Sequence, residues 1–484
     1  MPIHHLLCRL AALVLAALIG WIPIATPAAA ATPVLVDTII DGGIVVTMDA
    51  QRRVIQHGSV AIDKSRIVAV GEAAEMRARY RARRLLPAEG RLIIPGLING
   101  HSHVPMTLFR GLADDLEVSD WLTKWIFPAE ARNVDEAFVR AGTRLGLAEM
   151  IRGGTTTFCD MYYFEDAVAD ETAKAGMRGV LGQTVLEFPA PDNKTWDAAL
   201  AYTGRFVKRW QGHPLIVPAI APHAPYTVTA AHIQQVQAWS EEMKVPVLMH
   251  VAETEFPVPP IVGRTTARGD VAYLESLGSL KGNLIAAHVV ALDASEIKLL
   301  AERGVGVVHN PTSNMKSAAG LSPVPQMQAA GIAVGLGTDG AASNNDLNLW
   351  EEMNLAALLH KHATHSARTL SAEQAFAMGT IEGARALHLD HEIGSLEVGK
   401  RADIVVVDID ALHQWPGDRG SPAVETNAIY SLLVYATKAS DVRTVMVEGR
   451  VLMQDRKLLT LDEAAIKREA QMYRKKIRLS LSRP

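Results

Sequence analysis

Residues 91–103 read RLIIPGLINGHSH, an apolar strand-like run that ends in two histidines one residue apart. Residues two apart in an extended segment point the same way, so His101 and His103 can offer two imidazoles to one ion. An H-x-H taken alone is more often a pair of solvent-facing or core histidines than a metal site. The surroundings decide here, because Pro and Gly fix a tight backbone around the pair. Seven more strand-like runs follow: TTTFCDM, RGVLGQTV, LIVPAIA, VPVLMHV, NLIAAHV, VGVVHN and AVGLGTD. Helix-like runs lie between them, among them Asp135 to Arg152, Ala230 to Met243 and Ala294 to Glu302. Phe138, Leu145 and Ala148 share one face of the first. Eight β/α alternations are the count that closes a (β/α)₈ TIM-type barrel. A doubly wound open sheet is the alternative, but no Gly-rich dinucleotide turn follows the first strand.

Outward from this α/β middle, both ends of the chain turn β-rich. VLVDTII, GGIVVTM and GSVAIDKSRIVAVG precede it, and RADIVVVDID and VRTVMVEGRVLM follow it, with turns at Asp41-Gly42-Gly43, Asp63-Lys64-Ser65 and Glu448-Gly449. The economical reading is one small β-sandwich domain built from residues 32–94 and 395–460, flanking a barrel at 95–394 and followed by a C-terminal helix at 461–484. Two unrelated β appendages would leave more edge strands unpaired.

Of the 484 residues, 49% are hydrophobic and 21% charged, and the net charge is −4. That is an ordinary globular composition, with no electrostatic case for nucleic acid or an anionic membrane as partner. Cys8 and Cys159 are the two cysteines, so a zinc site built on thiolates is excluded and any metal falls to His and carboxylates. Met1 to Arg9 is weakly basic, Leu10 to Ile24 almost wholly apolar, and Ala28 to Ala31 small. Residues 1–31 therefore read as a signal peptide, with an uncleaved anchor helix as the alternative. The mature chain is expected in a periplasm or outside the cell, free of the membrane after cleavage.

The metal-capable residues gather at the ends of the predicted barrel strands. His101 and His103 follow the first, His223 the fourth, His250 ends the fifth, His288 the sixth, His309-Asn310 the seventh and Asp339 the eighth. Barrel chemistry belongs at those C-terminal ends. His101, His103, His250 and Asp339 would make a His₃Asp set with room for water, and a divalent cation makes water a nucleophile near neutral pH. Glu253, three residues beyond His250, can carry the proton to a leaving group. His288 can orient the attacking water. Singly, each has a plain reading: a buried hydrogen-bonded histidine, a helix-capping Asp339, a surface Glu253.

PGLINGHSH, MHVAET, AAHVV, HNPTSNMK and GTDGAASNN together resemble the amidohydrolase superfamily. They are most similar to its branch of 5'-methylthioadenosine/S-adenosylhomocysteine deaminases and triazine hydrolases, from about Val34 to Leu452. The resemblance implies His101, His103, His250 and Asp339 as ligands of one metal, Glu253 as proton shuttle, His288 as a catalytic histidine and Asp339 doubling as a base. Zn²⁺ suits those ligands, with Fe²⁺ or Mn²⁺ able to take the same places. It further implies that His223 contacts the purine, and that Trp121 and Glu130 of LEVSDWLTKWIFPAE meet the base and ribose. One departure stands out. Relatives that accept S-adenosylhomocysteine hold its amino-acid tail with arginines after the third strand, where this chain reads LGQTVLEFPAPDNKT, with Gln183 and Lys194 but no Arg. The reading is an aminohydrolase of an aminated N-heterocycle, an adenosine-type nucleoside first. The alternatives are another leaving group on the same scaffold (a triazine chlorohydrolase, guanine or pterin deaminase, or amide hydrolase) and a non-catalytic secreted binding module. Relatives of this kind are often homo-oligomers.

Overall fold

The computed structural model describes residues 32–257, 261–262, 268–416 and 426–481. The expected leader lies outside the described residues, among which no helix is long and apolar enough to cross a membrane. The first strands are β1 (Val34–Val46), β2 (Val54–Asp63), β3 (Arg66–Glu72), β4 (Tyr80–Pro87) and β5 (Arg91–Pro95). The barrel strands are β6 (Leu97–Ser102), β7 (Thr155–Tyr162), β8 (Arg178–Val185), β9 (Ile216–Pro222), β10 (Val247–Val251), β11 (Leu284–His288), β12 (Gly306–His309) and β13 (Val334–Leu336). The chain returns to the first sheet with β14 (Ile404–Asp408), β15 (Val442–Val447), β16 (Arg450–Gln454) and β17 (Lys457–Leu458).

Among the described residues these strands form two sheets, a mixed one of nine strands and a parallel one of eight. The nine-stranded sheet joins the two ends of the chain where β14 lies antiparallel to β5, with Ile404 opposite Pro95 and Asp408 opposite Arg91. Its nine strands are hydrogen-bonded into one continuous sheet.

The opening run RLIIPGLI, expected as a single barrel strand, is divided between the sheets at Gly96. The cause is local. Pro95 has no N–H to give a ladder, and a Cβ on Gly96 would sit 2.0 Å from Thr156 Oγ1. Only a residue without a side chain lets the backbone cross from β5 to β6 there. Arg178, at the start of β8, ties the two sheets together through Asp403 (2.9 Å) and Glu448 (2.5 Å).

The eight strands follow in sequence order around the barrel. Closure falls to Asn99 on β6, whose amide donates to Thr338 Oγ1 at 2.8 Å and accepts from Thr338 N at 3.1 Å. Ile98, Cys159, Val180, Ala219, Leu248, Ile285 and Val308, one from each of seven strands, pack together as the barrel's inner core. The outward-facing residues alternate with them, as Val247, Met249 and Val251 do on β10, and pack in the layer shared with the helices. That period of two carries the inward face of β10 from Leu248 to His250, and that of β9 from Ala221 to His223. Helices separate the strands as expected. α1 (Glu136–Gly153) is capped by Asp135, which accepts from Phe138 N, and ends at Gly154 in the left-handed region (φ +88°). α2 (Glu165–Ala175) follows β7, α3 (Ala230–Met243) follows β9, and α4 (Ala294–Arg303) opens with a capping box of Asp293 and Glu296. α5 (Pro311–Lys316) follows β12, α6 (Leu349–Ala363) comes after β13, and α7 (Glu463–Leu481) closes the described chain, joined to α1 by Arg144 and Glu469.

Candidate metal centre and substrate cavity

His101, His103, His250, His288 and Asp339 converge at the C-terminal mouth of the barrel. His101 Nε2 and His103 Nε2 lie 3.4 and 3.2 Å from Asp339 Oδ1, and the Nε2 atoms of His103 and His250 are 3.3 Å apart. His288 Nε2 is 4.0 Å from the other oxygen, Oδ2. The ring of His101 stands within 4.9–5.4 Å of the other three.

The tautomers follow from what the remaining nitrogens touch. His103 Nδ1 lies 2.6 Å from the Met161 carbonyl and His250 Nδ1 2.9 Å from the His223 carbonyl. A carbonyl can only accept, so each Nδ1 carries a proton and each ring turns its Nε2 inward, the nitrogen that would face a cation. Two ring nitrogens facing each other at 3.3 Å need a shared proton or a cation between them. His101 Nε2 and His288 Nε2 are likewise buried with no hydrogen-bond partner among the described residues. Atoms about 2.0–2.2 Å from a shared tetrahedral ion are separated by about 3.3–3.6 Å. The three edges His101–Asp339, His103–Asp339 and His103–His250, at 3.2–3.4 Å, come close to that spacing, and the ligand atoms of His101, His103 and Asp339, like those of His101, His250 and His288, all lie within 4.8 Å of one another. The donor set thus fits a divalent cation.

The rings differ in their affinity for protons. Burial pulls His101 down to about 4 and His223 down to about 3, leaving both rings neutral at pH 7. His103 goes the other way, to about 9, because Asp339 and Asp160 outweigh the effect of burial, so at pH 7 its Nε2 holds a proton against Asp339 that a bound cation would displace. Burial alone would raise Asp339, yet its contacts with His101 and His103 hold it well below the usual carboxylate range.

Several partners aim Asp339. Its Oδ2 accepts from Ser313 Oγ (2.7 Å) and Ser343 Oγ (2.8 Å), and its Oδ1 from Gly340 N (2.7 Å). Gly337 lets this segment close on β6, since a Cβ there would meet His101 N at 2.8 Å and Asn310 Oδ1 at 2.4 Å. Asp339 and His288 both adopt positive φ (+61° and +72°), strained conformations that cost about 1–3 kcal/mol each and cluster at functional sites. Asn314 Oδ1, 2.8 Å from His288 Nδ1, fixes that ring so that Nε2 faces the cluster.

Two adjoining cavities of about 490 and 530 Å³ open from the cluster and share Trp121, Glu253 and Asp339 as walls. Glu253 is buried, which pushes its carboxyl up, and it accepts from Tyr226 Oη at 3.0 Å. Glu130 lines the second cavity, raised by burial to about 7 and held by Tyr162 Oη (2.7 Å) and Tyr163 Oη (3.4 Å). His223 lines it too, its Nδ1 3.1 Å from Thr227 Oγ1. His309 is not brought into the cluster. It is buried below, its ring 5.3 Å from that of His360 on α6. Gln183 and Lys194 face elsewhere: Gln183 donates to Asp192 and Thr184, and Lys194 to the Ala190 carbonyl.

A family model described as the amidohydrolase family matches residues 92–452. The chain belongs to the amidohydrolase family. A shorter match, residues 60–82, is to an imidazolonepropionase-like composite domain of bacteria, and it lies in the nine-stranded sheet. This amidohydrolase is 46% identical over 426 residues to a protein of Syntrophobacter fumaroxidans named 5-methylthioadenosine/S-adenosylhomocysteine deaminase, covering 88% of this chain and 95% of that one. It is 41% identical over 449 residues to a deaminase of the same name from Syntrophus aciditrophicus, covering 93% and 99%. Among solved structures, an adenosine deaminase from Xanthomonas campestris with bound zinc superposes with a TM-score of 0.87 at 37% identity, covering 93% of this chain and 100% of that one. A triazine hydrolase variant superposes at 0.81 with 23% identity, covering 90% and 99%, a likeness of fold.

Tyr226, Ser313, Asn314 and Ser343 were not singled out in the sequence as site residues. Ser313, Asn314 and Ser343 fall inside the quoted motifs HNPTSNMK and GTDGAASNN, and Tyr226 lies three residues after His223 in APHAPYT. The motifs are the signal that would have found them.

Proposed function

We propose that this amidohydrolase is a zinc-dependent aminohydrolase that deaminates an adenosine-type nucleoside. The observation that carries the reading is the convergence of inward-facing imidazole Nε2 atoms and Asp339 at ligand-to-ligand distances, with Glu253 beside them in a cavity of ligand size. The deaminase names of relatives covering most of the chain support the substrate class.

His101, His103, His250 and Asp339 would hold the cation, which when bound activates water for attack near neutral pH. Glu253 takes a proton from the attacking water as the new C–O bond forms at the amine-bearing ring carbon. It then returns that proton to the amine, so that the C–N bond breaks with ammonia as leaving group. Its raised affinity for protons suits both halves of the cycle. His288 directs Nε2 toward the same space and orients the water. Trp121 packs against the base, His223 contacts the purine edge, and Glu130 accepts from ribose hydroxyls. Ammonia release from purified, zinc-loaded protein is the test, across adenosine, 5'-methylthioadenosine, guanine, pterins and triazines. Turnover of the two nucleosides is expected. Turnover confined to triazines or guanine would replace the substrate assignment and leave the metal centre standing.

We propose also that residues 1–31 direct the chain to the periplasm, a reading supported by the leader's sequence alone. N-terminal sequencing of the mature protein should begin near Ala31. Assembly into a homo-oligomer is proposed on the habit of similar proteins, and sedimentation measures it directly.

A further inference from the structure

Below His103 lies a pair of buried acids with no part in the proposed chemistry. Asp160, near the end of β7, accepts at Oδ1 from Val104 N at 2.5 Å, and Ser102 Oγ lies 3.0 Å from the same atom. It thereby holds the Val104 backbone and the Ser102 side chain, on either side of His103. The next carbonyl, Met161, receives His103 Nδ1. Among the described residues Asp160 Oδ2 and both oxygens of Glu165 are buried with no partner at full hydrogen-bonding geometry; the Tyr162 N–H faces Glu165, and the two carboxyls lie within reach of each other. Two carboxylates so placed repel, and one proton between them removes the conflict. Glu165 cannot easily turn away. It opens α2, its N–H donates to Gln183 Oε1 at 3.2 Å, and the preceding Phe164 N–H donates to Asp192 Oδ2 at 3.0 Å.

We infer that Glu165 is a positioning residue of the metal centre: it keeps a proton, donates it to Asp160, and so holds Asp160 as the acceptor that fixes the His101–His103 segment. The inference rests on the metal-centre reading above. Burial and the Asp160 charge both drive the Glu165 carboxyl well above its ordinary range, which keeps the proton on it at neutral pH. The competing role is an ionised acid at the N-terminus of α2, favoured by the helix dipole. That role predicts an effect on stability alone.

The two are separated with full-length protein stripped of metal and titrated with zinc against a competing chelator. Glu165→Gln keeps a donor toward Asp160 and is expected to bind zinc within about threefold of wild type. Glu165→Leu keeps the bulk, loses the donor, and is expected to lose about ten- to a hundredfold in zinc affinity, the usual cost of removing a partner behind a ligand. Wild-type zinc affinity in a folded Glu165→Leu protein overturns the inference, as does an equal loss in Glu165→Gln. Failure of wild type itself to bind zinc would instead sink the metal-centre reading. A second measurement does not depend on the leucine variant folding. The infrared difference between wild type and Glu165→Gln at neutral pH should show a protonated-carboxyl band in the wild type, and its absence refutes the shared proton.

Discussion

Glu253 is the residue on which the proposed proton traffic turns. Its neighbours explain why a glutamate is poised there: burial favours the neutral acid, and Tyr226 Oη keeps the carboxyl facing the cavity. Glu253→Gln preserves shape and removes the transferable proton, so kcat is expected to fall by about 10²–10⁴ with one zinc still bound per chain. Steady-state ammonia release and elemental analysis of one sample check both halves. His250→Ala is expected to lose the metal as well as the activity. Glu352 on α6 illustrates a different consequence of burial. It accepts from Thr312 N (3.1 Å) and Asn344 Nδ2 (2.7 Å), yet burial raises it to about 8. The unfolded chain ionises near 4.5 and the folded one does not until about 8. Its contribution is therefore fully present below pH 4.5 and is lost as pH rises through 8. Over that window it removes a few kcal/mol of stability, of the order given by the linkage relation. Glu352→Gln should flatten this part of the stability-versus-pH curve, read by denaturant unfolding at pH 5 and pH 8.

At the scale of elements, each barrel strand is a lever that ends in chemistry. On β10 the alternation that sends Leu248 into the core sends His250 into the site. A one-residue slip would carry the imidazole to the helix side. The β5–β6 junction is equally exacting. Gly96→Ala would drive a methyl into Thr156 and is expected to destabilise the fold by about 1–3 kcal/mol, visible as a lower midpoint of thermal unfolding. The segment after β8 bears on selectivity. Gln183 and Lys194 are engaged elsewhere, and Lys316, which lines the first cavity, is already paired with Asp114. Among the described residues the cavity walls thus present no unpaired lysine or arginine to a substrate carboxylate. 5'-Methylthioadenosine is accordingly expected to exceed S-adenosylhomocysteine in kcat/KM by at least about tenfold. Equal values would mean that another cation receives the carboxylate.

For the molecule as a whole, the cluster draws its members from β6, β10, β11 and the segment after β13. A bound ion therefore ties together strands far apart in the chain. Binding to the folded state alone stabilises by RT ln(1 + [L]/Kd), about 4 kcal/mol at a thousandfold excess over Kd. Removal of zinc by a chelator should lower the thermal midpoint by several degrees, and restoring zinc should recover it. A midpoint indifferent to zinc would contradict a site shared between strands.

The alternation of eight strands with helices, the β-rich ends and the placing of His101, His103, His250, His288 and Asp339 at strand ends were all legible in the sequence. They depend on periods of two and 3.6 residues and on turn chemistry, which are local properties. Where RLIIPGLI changes sheets was not, because the obstacle at Gly96 is Thr156, sixty residues away. The same holds for the tautomers of His103 and His250, set by the carbonyls of Met161 and His223, and for the burial that raises Glu253. Which residue types stand at the strand ends can be written along a chain, but the direction in which a ring nitrogen faces and the proton affinity of an acid depend on which distant atoms surround them. Only the closed barrel decides those.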